Sequence, residues 1–137
     1  NLLGGISAHA GLFSNAEDLG KYSQMLLNDG MMGDKKIIDK DLISLFTAGQ
    51  STVDEANRGY GWDRPDRDGT SSAGDYFSDK TFGHLGYTGT SFWIDPEQEL
   101  VVVLLTNRVY PTRNNLGIKQ VRRKFHNTLN KSILQFN

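Results

Sequence analysis

The feature that most constrains the fold is a pair of apolar runs joined by a tight turn in the second half of the chain. Ser91–Ile94 and the six aliphatic residues Leu100–Leu105 flank Asp95-Pro96-Glu97. Proline presets φ for the second position of a turn, and aspartate accepts hydrogen bonds from the backbone that follows it. A short β-branched run between turn signals is typical of a strand buried on both faces. The sequence therefore predicts an antiparallel hairpin at the centre of a sheet.

A third extended segment leads into this hairpin and carries a histidine next to glycine. Thr81–Gly86 reads Thr-Phe-Gly-His-Leu-Gly and is followed by the Gly- and Thr-rich cluster Tyr87–Thr90. Glycine in and beside a strand lets another surface approach the backbone closely. We therefore expect any chemistry to lie at this mouth of the hairpin, around His84.

Two helices are predicted before the hairpin. The first begins at a capping box, Ser14-Asn15-Ala16-Glu17, and ends at Asn28-Asp29-Gly30, where glycine suits a left-handed cap. The second covers Lys40–Ala48, with Asp39 as its N-cap. The residues expected to face inward are Ala16, Leu19, Tyr22, Leu26 and Leu27 in the first helix and Leu42, Ile43 and Phe46 in the second.

A long helix is predicted at the end of the chain, over Leu116–Leu134. Its apolar stripe consists of Ile118, Val121, Phe125, Leu129 and Ile133. His126, beside this stripe, is expected at the surface.

Gly59–Arg64 is predicted as a strand. Pro65–Asp79 is predicted as a loop, which at that length is either functional or mobile. The expected fold class is α/β of the α+β type, with antiparallel strands flanked by helices.

Composition excludes several classes of function. A chain of 137 residues suits one domain. Its net charge of −1 argues against a nucleic-acid partner, although Lys119 and Arg122–Lys124 form a basic turn on the terminal helix. No run approaches the roughly 18 apolar residues of a membrane span. The absence of cysteine excludes disulfides and thiolate metal sites.

Motif searches find no complete catalytic set. Ser-x-x-Lys, Gly-x-Ser-x-Gly and Tyr-x-Asn do not occur. The three histidines, His9, His84 and His126, lack the spacing of a zinc site, and the loop carboxylates do not follow a calcium-loop pattern. We therefore expect neither a metal nor a cofactor. Residue types alone indicate an α/β domain with a glycine-lined histidine at a strand end.

Six short motifs occur in a set order along the chain. They are Gly11-Leu12-Phe13-Ser14, Ala16-Glu17-Asp18-Leu19, Tyr60-Gly61-Trp62, Phe82–Thr90, Ile94-Asp95-Pro96 and Leu104–Arg108. In this order they resemble the C-terminal part of the serine β-lactamase-related family, which includes class C β-lactamases, penicillin-binding proteins, D-aminopeptidases and esterases. The resemblance covers residues 1–108, and the terminal helix fits the last helix of the family. It implies a partial β-lactamase/transpeptidase-like fold, in which residues 1–137 are a C-terminal fragment of one domain without its Ser-x-x-Lys part.

The resemblance also implies roles for one short segment. In the family the serine of Ser-x-x-Lys is acylated, and His84-Leu85-Gly86 is similar to the third box, Lys-Thr-Gly or a His-x-Gly variant. His84 would then donate a hydrogen bond, Gly86 would let the substrate backbone approach, and the N–H of Tyr87 would be an oxyanion donor. Leu85 and Thr88 would contact the substrate.

Two departures from the usual third box favour an esterase or a peptidase-like hydrolase over a β-lactamase. Leu85 replaces a hydroxyl residue that commonly helps to bind a substrate carboxylate. A histidine with a pKa near 6.5 is not a fixed cation at neutral pH, as lysine is.

Two functions stay open at this point. The first is a fragment of a serine hydrolase for small ester, amide or peptide-like substrates, inactive alone because its nucleophile lies upstream of Asn1. The alternative is a non-catalytic β-lactamase-like binding module attached to another enzyme. Expected partners are the missing N-terminal part and a second copy, paired through an exposed sheet edge. The resemblance implies an extracytoplasmic bacterial location, periplasmic or secreted.

Overall fold

A three-stranded antiparallel sheet flanked by helices forms the centre of the molecule. The computed structural model describes residues 4, 7, 11–50 and 57–135, so that His9 lies outside the described part. In chain order the elements are α1 (Ala16–Leu27), β1 (Met31–Met32), β2 (Lys35–Lys36), α2 (Lys40–Thr47), β3 (Phe82–Leu85), β4 (Ser91–Asp95), β5 (Leu100–Leu104) and α3 (Ile118–Leu134). The main sheet has the order β3-β4-β5, and β1 and β2 form a separate small hairpin.

The predicted central hairpin is confirmed. Ile94 lies opposite Phe82 on β3 and opposite Val101 on β5. The Asp95 carboxylate accepts hydrogen bonds from the N–H groups of Glu97 at 3.0 Å and Gln98 at 3.1 Å, as the turn chemistry predicts. Side chains alternate between the two faces of the sheet. Met25, Leu26, Phe82 and Ile94 form the core on the α1 side, and Ala73, Phe77, Trp93 and Val102 form the core on the other side, where Phe125 and Leu129 of α3 pack.

The prediction that the last strand is buried on both faces is wrong. Only Val102 of β5 is buried, its other residues are half-buried, and Leu105 just beyond it is 46% exposed. The reason is position, because β5 is an edge strand of the sheet that the described residues form. One face of β5 packs against α1.

The first two helices are confirmed, but details of their ends and faces are corrected. The N-cap of α1 is Asn15, which accepts from the N–H of Asp18 at 2.8 Å, so the predicted capping box at Ser14 does not form. Met25 and Leu26 face the core, whereas Tyr22 is 39% exposed. In α2, which Asp39 caps as predicted, Ile43 packs against the core, and the residues wrongly expected to do so, Leu42 and Phe46, are exposed.

The terminal helix forms as predicted but faces the core with a different stripe. Its buried residues are Arg122, His126 and Asn130, whereas Val121 of the predicted apolar stripe is 53% exposed. The prediction that His126 lies at the surface is therefore wrong. Polar residues can face inward here because backbone carbonyls and the Ser91 hydroxyl lie opposite them.

The segment before β3 attaches to the sheet without forming a strand. Gly59–Arg64 was predicted as a strand, but only isolated bridges form, between Arg58 and Asp63 and between Asp63 and Gly83. The ring of Trp62 packs edge-on against those of Phe82 and Phe92. The predicted loop Pro65–Asp79 contains no helix or strand, yet Ser71, Ala73 and Phe77 within it are buried.

No helix in the described ranges combines the length and apolarity needed to cross a membrane.

Candidate active site

The His-Leu-Gly segment lies at the end of β3, where the chain turns into β4. The N–H of Gly86 donates to the Thr90 carbonyl at 2.7 Å, and the N–H of Gly89 donates back to the Gly86 carbonyl at 3.0 Å. These bonds close a three-residue loop, Tyr87–Gly89, between the two strands. Gly89 has φ of +101°, a left-handed conformation that glycine adopts readily in such loops. We call residues 86–90 the site turn.

His84 is exposed on the α1 face of β3. It lies opposite Phe92, and its Nδ1 is 2.9 Å from the Leu85 carbonyl oxygen. Because a carbonyl only accepts hydrogen bonds, Nδ1 carries a proton in this contact. This contact holds the ring in one orientation at the rim of the site turn.

The peptide unit between Gly86 and Tyr87 provides a free hydrogen-bond donor, the N–H of Tyr87. Within the described residues, no hydrogen bond uses the N–H of Tyr87. Tyr87 is 66% exposed, and the guanidinium carbon of Arg108 lies 4.6 Å from the centroid of its ring. Arg108 also donates from Nε to the Tyr87 carbonyl at 2.8 Å. A β-carbon on Gly86 would meet the Thr90 hydroxyl, so packing within the turn itself favours glycine here.

The two predicted substrate-contacting residues have different surroundings. Leu85 is half-buried and packs toward the Trp93 cluster, on the face of β3 opposite His84. Thr88 is exposed at the tip of the site turn, and its carbonyl accepts from the N–H of Arg108 at 2.8 Å. A role for either side chain in substrate binding stays a prediction.

Arg122 of α3 lies directly behind the site turn, and sequence reasoning missed it. Only 5% of the residue is exposed. Its Nη2 donates to the carbonyls of Gly86 at 2.8 Å and Thr90 at 2.6 Å, and its Nε donates to that of Gly89 at 3.0 Å. Burial, and to a lesser extent the charge of Arg108, lowers the pKa of Arg122 from its usual value. Arginine nevertheless keeps its charge in proteins.

His126 lies one helical turn beyond Arg122 and completes a polar contact between α3 and the sheet. It is fully buried, and its Nε2 lies 3.3 Å from the hydroxyl oxygen of Ser91. Burial, with a smaller contribution from the charge of Arg122, lowers the pKa of His126 to about 4, so the ring is neutral at pH 7. The spacing of Arg122, His126 and Asn130, four residues apart, is the sequence signal that could have indicated this polar face.

An open cavity of about 480 Å³ adjoins the site turn. Its lining residues are Tyr87, Val109, Pro111, Thr112, Arg113 and Asn114. Among the residues with described positions, no three His, Asp or Glu side chains lie close enough to hold a metal ion. The groups that the structure places at the turn are the Tyr87 N–H, the exposed imidazole of His84 and the guanidinium of Arg108.

A family model described as beta-lactamase matches residues 2–125. The chain belongs to the β-lactamase family. Its sequence is 38% identical over 108 residues to a protein of Escherichia coli K12 that carries the name "Putative D-alanyl-D-alanine carboxypeptidase". A Salmonella typhi protein of the same name is 37% identical over 107 residues. Each alignment covers 77% of this chain and 24% of the relative, so the chain spans about a quarter of the length of these relatives.

The fold of the family is confirmed by a solved structure. A β-lactamase from Mycobacterium bovis superposes with a TM-score of 0.65 at 20% sequence identity. The superposition covers 85% of this chain and 43% of that one. The expected recognition and fold class are both confirmed, while the roles of individual residues stay predictions.

Proposed function

We propose that this chain supplies one wall of the active site of a serine hydrolase that acts through an acyl-serine intermediate on small ester, amide or peptide-like substrates. The observation that carries this proposal is the free N–H of Tyr87 on the site turn, beside the exposed His84, in a chain of the β-lactamase family. Attack of a serine hydroxyl on a substrate carbonyl creates a tetrahedral intermediate with a charged oxygen. A fixed N–H that points toward this oxygen stabilises it.

The other residues of the site turn have supporting roles in this proposal. Gly86 has no side chain at the end of the strand, so that the substrate backbone can lie along it. His84 offers a hydrogen bond from the rim. Leu85 contributes no hydroxyl to the cleft. This favours an esterase or a peptidase-like hydrolase over a β-lactamase. The carboxypeptidase name of the curated relatives supports the peptidase-like class independently of Leu85.

In this proposal the serine nucleophile comes from outside residues 1–137, which contain no Ser-x-x-Lys. The experiment is to compare the intact mass of the complete polypeptide that carries this chain before and after exposure to a fluorophosphonate probe. We expect one stoichiometric adduct, on a serine upstream of Asn1. The chain alone is the matched control and should stay unlabelled. A folded complete polypeptide that takes up no probe would contradict the proposal and favour the non-catalytic binding module.

A further inference from the structure

Arg122 is a buried cation whose hydrogen-bond partners are all backbone carbonyls of the site turn. The three bonds, to Gly86, Gly89 and Thr90, measure between 2.6 and 3.0 Å. Within the described part of the chain, no carboxylate forms an ion pair with Arg122. Burying a charge is costly unless hydrogen bonds compensate for it. A buried guanidinium directed at one five-residue turn therefore indicates a role in that turn.

The geometry of the peptide bond connects Arg122 to the free donor of the site. The carbonyl of Gly86 and the N–H of Tyr87 belong to one planar unit and, in a trans peptide, point in opposite directions. Nη2 of Arg122 donates to this carbonyl from α3 at 2.8 Å, in addition to the bond at 3.0 Å from the Gly89 N–H within the turn. The N–H of Tyr87 must therefore point away from α3. The bonds to Gly89 and Thr90 keep the guanidinium fork from rotating, since its donors have a fixed planar arrangement.

We propose that Arg122 is a positioning residue that fixes the direction of the Tyr87 N–H and strengthens it as an oxyanion donor. A cation bound to the Gly86 carbonyl polarises the shared peptide unit, and chains of hydrogen bonds strengthen one another in this way. The donor is thus oriented before the substrate arrives and needs no rearrangement as charge develops. This role rests on the acyl-serine function proposed above.

The test uses the complete polypeptide and two substitutions, Arg122→Met and Arg122→Lys. The readouts are the rate constant of labelling by a fluorophosphonate, whose phosphonyl oxygen occupies the place of the oxyanion, and kcat and KM for a p-nitrophenyl ester. We expect Arg122→Met to lower the labelling rate and kcat about 10- to 100-fold, with a much smaller change in KM, because loss of an entire donor costs on the order of 10²–10³. Arg122→Lys should be intermediate, since an ammonium keeps the charge without the planar fork.

Two control variants separate positioning from loss of stability. Arg123→Met removes the neighbouring arginine, which bonds Asp75 and the Ser71 carbonyl but not the site turn. Asn130→Ala removes a buried polar group from the same face of α3, where its side chain donates to the His126 carbonyl. Both should lower the melting temperature and leave the labelling rate close to that of the wild type.

Each outcome decides between the two proposals. A wild-type protein that is not labelled would overturn the acyl-serine function and the role of Arg122 together. The role of Arg122 alone would be overturned if the wild type is labelled and the Arg122 variants react as fast as the wild type. The same holds if the Arg122 variants react no more slowly than Asn130→Ala. If neither variant folds, Arg122→Ala is refolded in the presence of dilute guanidinium chloride, so that the free guanidinium ion can occupy the place of the missing side chain. A labelling rate that rises with the guanidinium concentration supports the positioning role, and a labelling rate independent of that concentration counts against it.

Discussion

His126 shows at the scale of one residue how burial changes chemistry. Its neighbours on the core side of α3 are Arg122, Asn130 and the rings of Phe77 and Phe125. Protonation would place a second cation beside the Arg122 guanidinium without water to screen it. This is why burial, reinforced by Arg122, lowers the pKa of the imidazole to about 4.

The free energy of unfolding is expected to fall as the pH drops from about 6.5 to about 4. The unfolded chain binds a proton at His126 near the ordinary pKa of 6.5, whereas the folded chain does so only near pH 4. The contribution of His126 is therefore fully present above the higher value and lost as the pH falls through the lower one. Its size is about 3 kcal/mol. Urea denaturation across this range measures it.

His126→Gln is the control for this pH dependence, because glutamine fills a similar volume and does not titrate. The variant should show a much flatter profile between the two pKa values. A wild-type free energy of unfolding that stays constant over the same range would contradict the prediction.

The orientation of α3 shows, for a single element, where sequence reasoning succeeds and fails. The extent of the helix and the β4–β5 hairpin follow from local patterns, namely apolar spacing and the Asp95-Pro96 turn. The inward face of α3 does not, because Arg122 and His126 find their partners more than 30 residues earlier in the chain. Apolar periodicity cannot reveal a partner at that distance. The position of the site turn could be predicted from its motif, but its support from α3 could not.

A polar cluster attaches the long loop to the same helix. The Asp75 carboxylate accepts from Arg123 at 2.6 and 2.7 Å and from the Asn127 amide at 2.8 Å. The Asn127 side chain in turn accepts from the N–H of Asp75 at 2.8 Å. Hydrogen bonding by Asn127, followed by Arg123, lowers the pKa of Asp75 below its usual value. These contacts hold the loop over the Trp93 side of the core.

Asn127→Ala should loosen the attachment of this loop to α3, while the Arg123–Asp75 contact remains. We expect the free energy of unfolding to fall by about 1 kcal/mol per lost hydrogen bond, and amide hydrogen exchange to rise in residues 71–77. Gln120→Ala, an exposed position on the same helix, is the matched control and should change neither quantity. Unchanged exchange in the loop of the Asn127 variant would contradict this prediction and show that the Arg123 contact and the buried loop residues are sufficient to hold the loop.

At the scale of the whole molecule, β5 presents an unpaired edge among the described residues, with Leu105 exposed at its end. Such edges pair with other strands unless charged residues block them. We therefore expect the isolated chain to self-associate, which sedimentation velocity at several concentrations measures. Leu105→Lys should raise the dissociation constant about tenfold, equivalent to about 1.4 kcal/mol.

The control for edge pairing is Leu134→Lys. Leu134 is similarly exposed, but it lies in the last turn of α3, away from the sheet edge. A lysine there should leave association unchanged. A chain that stays monomeric at all concentrations, or equal effects of the two substitutions, would count against pairing through β5.

Arg122 follows Gly86 by 36 positions in the chain, which has a consequence for biosynthesis. A ribosome builds the chain from its amino terminus, so the turn leaves the exit tunnel well before the helix that binds its carbonyls. Until α3 has emerged and docked, the Gly86 carbonyl has only the hydrogen bond from the Gly89 N–H within the turn and lacks the one from Arg122. The growing polypeptide therefore passes through a period in which strands are already present and the proposed oxyanion donor is not yet supported by the helix. Completion of the terminal helix ends that period.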